Sequence, residues 1–291
     1  MKALLVDGNN LAMRAISAML YSGLSSGDTP TGPLLSFINT LGKHVREEQP
    51  SHLVVCWDAK GHRWRSDVDD DYKANRNPAP EQDFKHSSFA LIKEFLALAN
   101  IASVEVPQAE ADDLIAAYWQ GSQRTDRITI LSNDKDFLML LADGHTEQVR
   151  VSSGGAPTDR WTAQRVLDDL GCTPTRLPLV MALTGDVSDN VIGIHGIGPK
   201  KAVKALVAAD WDLDRITDPR ITSEMQRVYS NLDLVDLRKP RDWIALGAIP
   251  EFRPTTVGSA LHQPLVEFLI QYQMHSVLNR YNDRSLWGWR D

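Results

Sequence analysis

Cysteine is nearly missing from this chain of 291 residues, which contains only Cys56 and Cys172, in unlike sequence contexts. Two such thiols exclude a disulfide framework and a zinc site built on cysteine, and they favour a reducing compartment. The sequence also lacks any run of about 18 apolar residues that would span a membrane. Its N-terminal apolar run is too short for a secretory signal. We therefore expect a cytoplasmic protein with no membrane partner.

An excess of basic residues is missing as well. Lysine and arginine number 31 against 38 aspartates and glutamates, which gives a formal net charge of −7. This balance argues against a nucleic-acid partner, because proteins that bind nucleic acids are usually basic. The argument changes if many acids belong to one metal-binding cluster. Without eight such acids the chain would have 30 acids against 31 bases, so a partner that carries phosphates is not excluded.

Short apolar runs in the first half of the chain end at or next to acidic residues. They are residues 3–6 before Asp7, residues 53–57 before Asp58, and residues 128–132 before Asn133 and Asp134. Such runs are typical of buried parallel strands. Apolar residues at helical spacing predict helices over residues 33–48 and 89–99. Strands that alternate with helices predict an open α/β sheet, whose sites form beyond the carboxyl ends of the strands.

The rest of the chain has a different pattern. Residues 60–83 are polar and nearly free of aliphatic side chains, and a loop of this length is usually functional or disordered. From about Trp161 the pattern is mostly helical. It includes a glycine-rich turn at residues 193–198 and a final apolar helix at about residues 264–278.

Acidic residues recur in five short signatures. Each one alone is typical of a helix cap or a turn. Together they place many carboxylates at one sheet edge, where they repel one another unless cations hold them. Magnesium or manganese fits oxygen ligands, and no histidine or cysteine lies nearby at zinc-ligand spacing. The signatures are Asp7, Asp58, Glu110 with Asp112 and Asp113, Asp134 with Asp136, and Asp186 with Asp189.

Spacing within these signatures makes local predictions. Asp186 and Asp189 are three residues apart, so on a helical turn they would share one face. Asp134 and Asp136 are two apart after a strand, so in an extended segment they would point the same way. Glu110 opens an apolar helix, where an acid complements the N-terminus.

The segment GIHGIGPKKAVKAL at residues 193–206 predicts a phosphate-binding hairpin. Its glycines make a tight turn and let backbone N–H groups approach a phosphate. A proline suited to the first helical position and three lysines follow, which aims positive charge at one anionic backbone. The alternative is a plain connector between helices with solvated lysines. The residues are Gly196, Gly198, Lys200, Lys201 and Lys204.

Seven motifs occur in order between residues 6 and 202: VDGNN, WDAKG, YKANR, EADD, SNDKDF, LTGDVSDN and GIHGIGPKKA. In this order they resemble the 5′ nucleases, which comprise bacterial and phage 5′–3′ exonucleases, flap endonucleases and the 5′-nuclease domain of DNA polymerase I. The resemblance extends from residue 1 to about residue 281. No polymerase-like region follows, so the resemblance implies a stand-alone nuclease.

The resemblance implies a PIN-like α/β fold with a mostly parallel sheet flanked by helices. Residues 1–160 would form the catalytic domain, including a helical arch at residues 60–90. Residues 161–291 would form a helical region, with a helix-three-turn-helix DNA-binding element at about residues 180–210 and C-terminal helices that pack back on the core.

The resemblance also implies the metal ligands and the catalytic residues. Two or more divalent ions would bind, Mg²⁺ or Mn²⁺, and backbone carbonyls of the hairpin would hold K⁺. One site would use Asp7, Asp58, Glu110, Asp112 and Asp134, and the other would use Asp136, Asp186 and Asp189 beside Asp134. Asp113 would support these ligands from behind.

Three residues of YKANR match the base of the family's arch. Tyr72 would stack on a nucleobase. Lys73 and Arg76 would stabilise charge on the scissile phosphate, as catalytic partners of Asp134 and Asp186. An acidic run departs from the mixed charge expected here: Asp67, Asp69, Asp70 and Asp71.

The predicted function is a monomeric, structure-specific 5′ nuclease that hydrolyses DNA phosphodiesters by a two-metal mechanism. Its substrate would be DNA with a 5′ flap, a nick or a 5′ end next to duplex. Two alternatives remain open: a catalytically silent protein that binds DNA junctions, and a PIN-type ribonuclease. A phosphatase with Asp7 as nucleophile is disfavoured, because Asn9 stands where a second aspartate is needed.

Overall fold

The computed structural model describes residues 1–74, 82–122, 125–152, 158–239 and 262–288. Arg76, which was predicted to contact the phosphate, lies outside these residues. Within the described ranges, no helix has both the length and the apolar character needed to cross a membrane.

A six-stranded sheet forms the centre of the described structure. Its strand order is β5-β4-β1-β6-β7-β8, and every neighbouring pair is parallel except β7 with β8. Two short hairpins, β2 with β3 and β9 with β10, lie outside it. The strands are β1 (Lys2–Asp7), β2 (Ser25–Ser26), β3 (Thr29–Pro30), β4 (His52–Trp57), β5 (Ala102–Glu105), β6 (Arg127–Leu131), β7 (Thr146–Arg150), β8 (Asp159–Trp161), β9 (Gly185–Asp186) and β10 (Val191–Ile192).

The strand order places a crevice beyond the end of the central strand β1. From β1 the chain continues to β4 and β5 on one side, and then crosses to β6 and β7 on the other. Such a reversal of order opens a crevice at the carboxyl ends of the strands. Asp7 ends β1, and Asp134 follows β6, so the predicted acids border this crevice.

Helices cover both faces of the sheet. They are α1 (Gly8–Met19), α2 (Gly32–Glu48), α3 (Arg65–Val68), α4 (Gln82–Leu98), α5 (Ala111–Gly121), α6 (Ala163–Leu170), α7 (Leu177–Thr184), α8 (Pro199–Ala208), α9 (Pro219–Thr222), α10 (Met225–Val235), α11 (Gln263–Gln271) and α12 (His275–Asn282). Three 3₁₀ turns accompany them: Lys135–Asp143, Pro174–Arg176 and Leu213–Arg215.

Alternate residues of the strands feed two cores. Leu5 lies in a core shared with α5 and the helices α6 to α10, whereas Leu4 and Val6 lie in a core with α1, α2, α4, α11 and α12. The first core contains both Phe137 and Val166, which lie on opposite sides of the domain boundary predicted at residue 160. The predicted division into two domains stays a prediction.

The predicted strands and the helix over residues 33–48 are confirmed to within one residue, but the final helix is wrong. The structure has two helices, α11 and α12, instead of one over residues 264–278. The chain breaks at Gln273, whose φ of 56° is left-handed and ends the helical path. This break lets Phe268 and Val277, on different helices, enter the same core.

The predicted arch segment is only partly described. Within residues 60–74 and 82–90, helical structure consists of the single turn α3 and the start of α4. The helix predicted over residues 89–99 was too short, because α4 extends from Gln82 to Leu98.

The hairpin of β9 and β10 is held by a close backbone crossing. Gly185 has a φ of 69°, which ends α7 and turns the chain into β9. A Cβ on Gly193 would lie 2.1 Å from the carbonyl oxygen of Thr184, and one on Gly185 would lie 2.3 Å from the amide nitrogen of Gly193. The two glycines therefore allow the acidic turn, residues 186–189 leading from β9 to β10, and the glycine-rich hairpin, residues 193–198, to lie side by side.

Gly193→Ala should lower the free energy of unfolding by about 2 kcal/mol, because the added methyl group overlaps backbone atoms that have no room to move. Thermal denaturation measures this loss. Gly121→Ala is the matched control, since a Cβ there meets open space at the end of α5. A Gly193→Ala protein as stable as its Gly121→Ala counterpart would contradict the close crossing.

Candidate functional site

Each of the eight predicted metal ligands lines one or both of two neighbouring spaces at the crevice. The larger is an open cavity of about 850 Å³ beyond β1. The smaller is a void enclosed by α10 and the acidic turn, and it shares Asp112 and Asp189 with the larger. The acids of the cavity are Asp7, Asp58, Glu110, Asp112, Asp134 and Asp189, and those of the void are Asp112, Asp136, Asp186 and Asp189.

Local hydrogen bonds aim the first two acids. The Asn10 backbone N–H donates to Asp7 Oδ1 at 2.9 Å, so Asp7 both ends β1 and caps α1. The Ser132 hydroxyl donates to Asp7 Oδ2 at 2.8 Å and ties β6 to β1. Asp58 Oδ1 accepts from the Ala111 backbone N–H at 2.9 Å, at the start of α5. Each carboxylate is therefore oriented by the element that follows or faces it.

Two predictions about acid pairs are wrong in detail. Asp134 has an extended backbone, but the chain does not stay extended through Asp136: Asp134 caps the 3₁₀ helix that follows β6, and its Oδ1 accepts from the Asp136 backbone N–H at 3.0 Å. Asp186 and Asp189 do not share a helix face, because Asp186 belongs to β9 and the chain then turns. The Ser188 N–H donates to Asp186 Oδ1 at 2.8 Å and closes that turn.

Glu110 and Asp113 form a capping box at the start of α5, as the acid-rich helix start predicts. Behind them lies Arg65, which is only 2% exposed. Its guanidinium donates to Glu110 Oε2 at 2.9 Å and to Asp113 Oδ1 at 2.9 Å. Asp113 thus supports the site from behind.

Two lysines lie among the acids. Lys73 Nζ bonds to Glu110 Oε1 and lies 3.7 Å from Asp189 Oδ1. Lys135 Nζ lies 3.1 Å from Asp186 Oδ2. Both ammonium groups are positioned to offset carboxylate repulsion at the crevice.

Burial and mutual repulsion raise the pKa of some acids in the site, whereas neighbouring cations lower the pKa of Glu110. Burial, with added repulsion from Asp58 and Asp134, raises the pKa of Asp7 from 3.8 to about 7. Burial and the neighbouring Asp134 likewise raise the pKa of Asp136. Burial would raise the pKa of Glu110 too, but Arg65 and Lys73 outweigh it and hold that pKa at about 2. Cations therefore decide the pKa of Glu110, whereas burial decides the pKa of Asp7 and Asp136.

The donors fit hard divalent ions, although the side chains are not closed around one. In the part of the chain that the structure describes, no three acidic, histidine or cysteine side chains converge closely enough to hold a metal ion. Basic groups such as Lys73 and Lys135 lie between the acids instead. Asp136 Oδ1 is buried and, among the described residues, has no hydrogen-bond partner. An all-oxygen set with an unsatisfied buried oxygen suits magnesium or manganese.

Tyr72 is placed differently from its predicted role. The ring is 7% exposed, and its hydroxyl donates to Glu110 Oε2 at 2.9 Å and to Asp189 Oδ2 at 3.1 Å. Because no face of this ring is open to a nucleobase, stacking by Tyr72 does not fit the structure. The phenol instead bridges acids from the two spaces.

The glycine-rich hairpin has the predicted local structure. Gly196 has a φ of 74°, and Pro199 is the first residue of α8. Lys200, Lys201 and Lys204 are all exposed. The Lys201 ammonium donates to the Gly196 carbonyl oxygen at 2.9 Å. Beside the hairpin runs a groove of about 790 Å³, whose charged lining is Lys201, Lys204, Arg215, Asp218 and Arg220.

A family model described as the 5′-3′ exonuclease, N-terminal resolvase-like domain matches residues 2–171, more than half of the chain. A 5′-3′ exonuclease of Aquifex aeolicus is 33% identical over 246 residues, which cover 79% of this chain and 82% of that protein. The chain belongs to the 5′–3′ exonuclease family. DNA polymerase I of Rhizobium leguminosarum is 32% identical over 255 residues, and the chain spans only 24% of its length.

The family's fold is also seen in a solved structure. The bacteriophage T5 D15 flap endonuclease, in a pseudo-enzyme-product complex with DNA and metal ions, aligns with a TM-score of 0.66 and 18% identity. The alignment covers 93% of this chain and 99% of that one. The predicted fold class, an α/β fold with a mainly parallel sheet, is thereby confirmed for this member of the family.

Sequence reasoning missed several basic residues of the site. Arg14 lines the cavity, and its Nη2 donates to the Val151 carbonyl oxygen at 2.8 Å. It lies seven residues after Asp7, two helical turns along the same face, so helical spacing would have found it. Lys135 could have been found from its position between Asp134 and Asp136 in the sequence. Arg65 had no such signal, because it lies in a polar segment where arginines are usually solvated.

Without divalent metal, the free energy of unfolding should fall as pH rises from about 5 to 7. The folded-state pKa of Asp7 is about 7, against 3.8 for the solvent-exposed carboxyl of the unfolded chain, so the folded state keeps a proton that the unfolded state has lost. Each unit of pKa difference corresponds to about 1.4 kcal/mol.

Thermal denaturation in EDTA and in Mg²⁺ across this pH range tests the effect. Mg²⁺ should flatten the slope, because the metal takes the place of the proton. Asp7→Asn should reduce the slope in EDTA. A stability that is independent of pH in EDTA would contradict the buried, mutually repelling acids.

Proposed function

We propose that this protein is a structure-specific 5′ nuclease that hydrolyses DNA phosphodiesters at 5′ flaps, nicks and 5′ ends. The observation that carries the proposal is the convergence of eight acids on one crevice of a 5′–3′ exonuclease fold. The glycine-rich hairpin at residues 193–198, which we propose faces DNA, follows residues 186–189 directly in the chain. In this proposal the protein acts as a monomer in the cytoplasm, during replication and repair.

The eight acids would hold two or more Mg²⁺ ions. Asp7, Asp58, Glu110, Asp112 and Asp134 would bind one, and Asp136, Asp186 and Asp189 would bind another beside Asp134. When bound, the ions supply a more acidic water and stabilise negative charge at the scissile phosphate. Backbone N–H groups at the following helical turns donate to Asp7 and Asp134, and these hydrogen bonds keep the two carboxylates oriented as oxygen ligands.

Lys73 would act on the phosphate itself. In the structure its ammonium is bound to Glu110 and lies near Asp189, at the mouth of the cavity. With those acids engaged as metal ligands, the Lys73 ammonium would donate to a phosphate oxygen and stabilise charge there. Arg14 lines the same cavity and adds a second cation. Arg76 stays a predicted partner in this role, outside the described residues.

The hairpin would hold the duplex next to the cleavage site. Gly196 and Gly198 keep side chains away from the turn, and Lys200, Lys201 and Lys204 place exposed charge around the start of α8. These groups contact phosphates rather than bases, so recognition depends on DNA structure and not on sequence. We also propose K⁺ at the hairpin carbonyls, where the Lys201 ammonium already bonds to the Gly196 oxygen.

Asp134→Asn and Asp186→Asn should each reduce cleavage of an end-labelled 5′-flap duplex in Mg²⁺ to background while retaining DNA binding. Each change removes one charge from the metal ligands and leaves the hairpin intact. Asp168→Asn on the exposed face of α6 is the matched control and should cleave normally.

Product lengths in Mg²⁺ and in EDTA separate the candidate activities. Flap, nicked and blunt substrates distinguish endonucleolytic cutting from trimming. DNA binding by the wild-type protein without cleavage would favour the silent junction binder, and cleavage of RNA alone would favour the ribonuclease. Turnover at the wild-type rate in either asparagine variant would reject the ligand assignment.

Lys200→Gln with Lys204→Gln should weaken duplex binding and reduce the salt dependence of the binding constant. Each lost phosphate contact should lower the slope of log K against log salt by about 1. Fluorescence anisotropy with a nicked duplex between 50 and 300 mM KCl measures the slope. Lys43→Gln on α2 is the control, because Lys43 is exposed far along the chain from the hairpin. An unchanged slope would remove these lysines from the DNA interface.

A further inference from the structure

Arg65 occupies an unusual position for an arginine. It begins the single turn α3 in the segment predicted to carry the arch, yet it is 2% exposed. Its guanidinium meets three carboxylates: those of Glu110, Asp112 and Asp113. Its Nε donates to the Leu234 carbonyl oxygen of α10 at 3.2 Å.

The contacts use the planar geometry of the guanidinium. Nη1 donates to Glu110 Oε2 at 2.9 Å and to Asp113 Oδ2 at 3.0 Å. Nη2 donates to Asp113 Oδ1 at 2.9 Å and to Asp112 Oδ2 at 3.3 Å. A lysine has a single nitrogen and cannot reproduce this set. The arrangement therefore depends on the shape of Arg65 as well as on its charge.

The two carboxylate oxygens of Glu110 have different partners. Oε2 accepts from Arg65 and from the Tyr72 hydroxyl, both of which are buried. Oε1 faces the other way, toward Lys73 and Arg63. One oxygen is thus held in the protein, and the other is presented to the cavity that Glu110 and Lys73 line.

The guanidinium itself is fixed by its neighbours. Its carbon lies 4.6 Å from the centre of the Trp64 ring, and the Trp64 indole N–H donates to Asp113 Oδ2 at 2.9 Å. Asp113 in turn accepts from the Glu110 backbone N–H at 3.0 Å, which closes the cap of α5. Trp64 and Asp113 therefore fix the guanidinium of Arg65, which in turn hydrogen-bonds to Glu110 and Asp112.

We propose that Arg65 is a positioning residue of the metal centre, which orients Glu110 and Asp112 for a divalent ion and joins the base of the arch segment to α5 and α10. This inference rests on the proposed function. Residues behind metal ligands commonly govern affinity because they fix the direction of the donor atoms.

Arg65→Gln and Arg65→Lys test the proposal in the full chain. Isothermal titration calorimetry with Mg²⁺ and with Mn²⁺ gives metal affinity without reference to activity. Arg65→Gln should weaken metal binding about tenfold or more, and Arg65→Lys should recover only part of it, since it restores charge but not geometry. Arg227→Gln, an exposed arginine of α10 paired with Glu224, is the control and should bind metal normally.

A merely structural role predicts another result. Arg65→Gln would then lower the melting temperature equally with and without metal, and metal affinity would stay within about twofold of wild type. That outcome would overturn the proposal. Flap cleavage adds a second readout, because the Mg²⁺ concentration for half-maximal rate should rise while the KM for DNA in saturating Mg²⁺ stays unchanged.

Asp113→Asn keeps the proposal falsifiable if Arg65→Gln does not fold. It retains Arg65 and both ligands but removes the charge that locks the guanidinium. Metal affinity should fall about threefold, a smaller loss than when the buried cation itself is removed, and wild-type affinity would count against positioning. A wild-type protein that binds no divalent metal would instead defeat the proposed function. If the wild-type protein binds divalent metal and both variants bind it with the same affinity, only the positioning role of Arg65 is defeated.

Discussion

Repulsion between carboxylates is the constraint on which the rest of this structure depends. Eight acids line the spaces at one crevice, and burial, with added repulsion from Asp58 and Asp134, raises the pKa of Asp7 to about 7. The protein offsets part of this cost with its own cations, since Arg65 lies behind the acids while Lys73 and Lys135 lie among them. In the proposed function, dications would complete a neutralisation of the acids that these side chains leave unfinished.

The parallel sheet brings these acids together from distant parts of the chain. Asp7, Asp58 and Asp134 follow strands that lie side by side, and the change of direction in strand order opens space beyond them. The acidic turn reaches the same place from the other side, because Gly185 and Gly193 let two backbone segments cross closely. The proposed metal centre and the glycine-rich hairpin are thus parts of one continuous structure, which would suit cleavage at a fixed distance from bound duplex.

The strands and the acids that end them were predictable, because buried parallel strands are continuous apolar runs and their carboxyl ends meet at one edge. The hairpin was predictable from its glycines and Pro199. The break at Gln273 was not, since the apolar spacing continues through it and only packing against the sheet decides it. The burial of Arg65 and Tyr72 was also hidden, because both lie in a polar segment and are covered by α5 and α10, far away in sequence.

The most direct test of the account is anomalous diffraction from crystals of the protein soaked in Mn²⁺. The account predicts two or more Mn²⁺ peaks between the acids of the crevice, with the Lys73 ammonium moved away from Glu110 and the Arg65 guanidinium still in place. A crevice without Mn²⁺ peaks, in which Lys73 stays bound to Glu110, would contradict it.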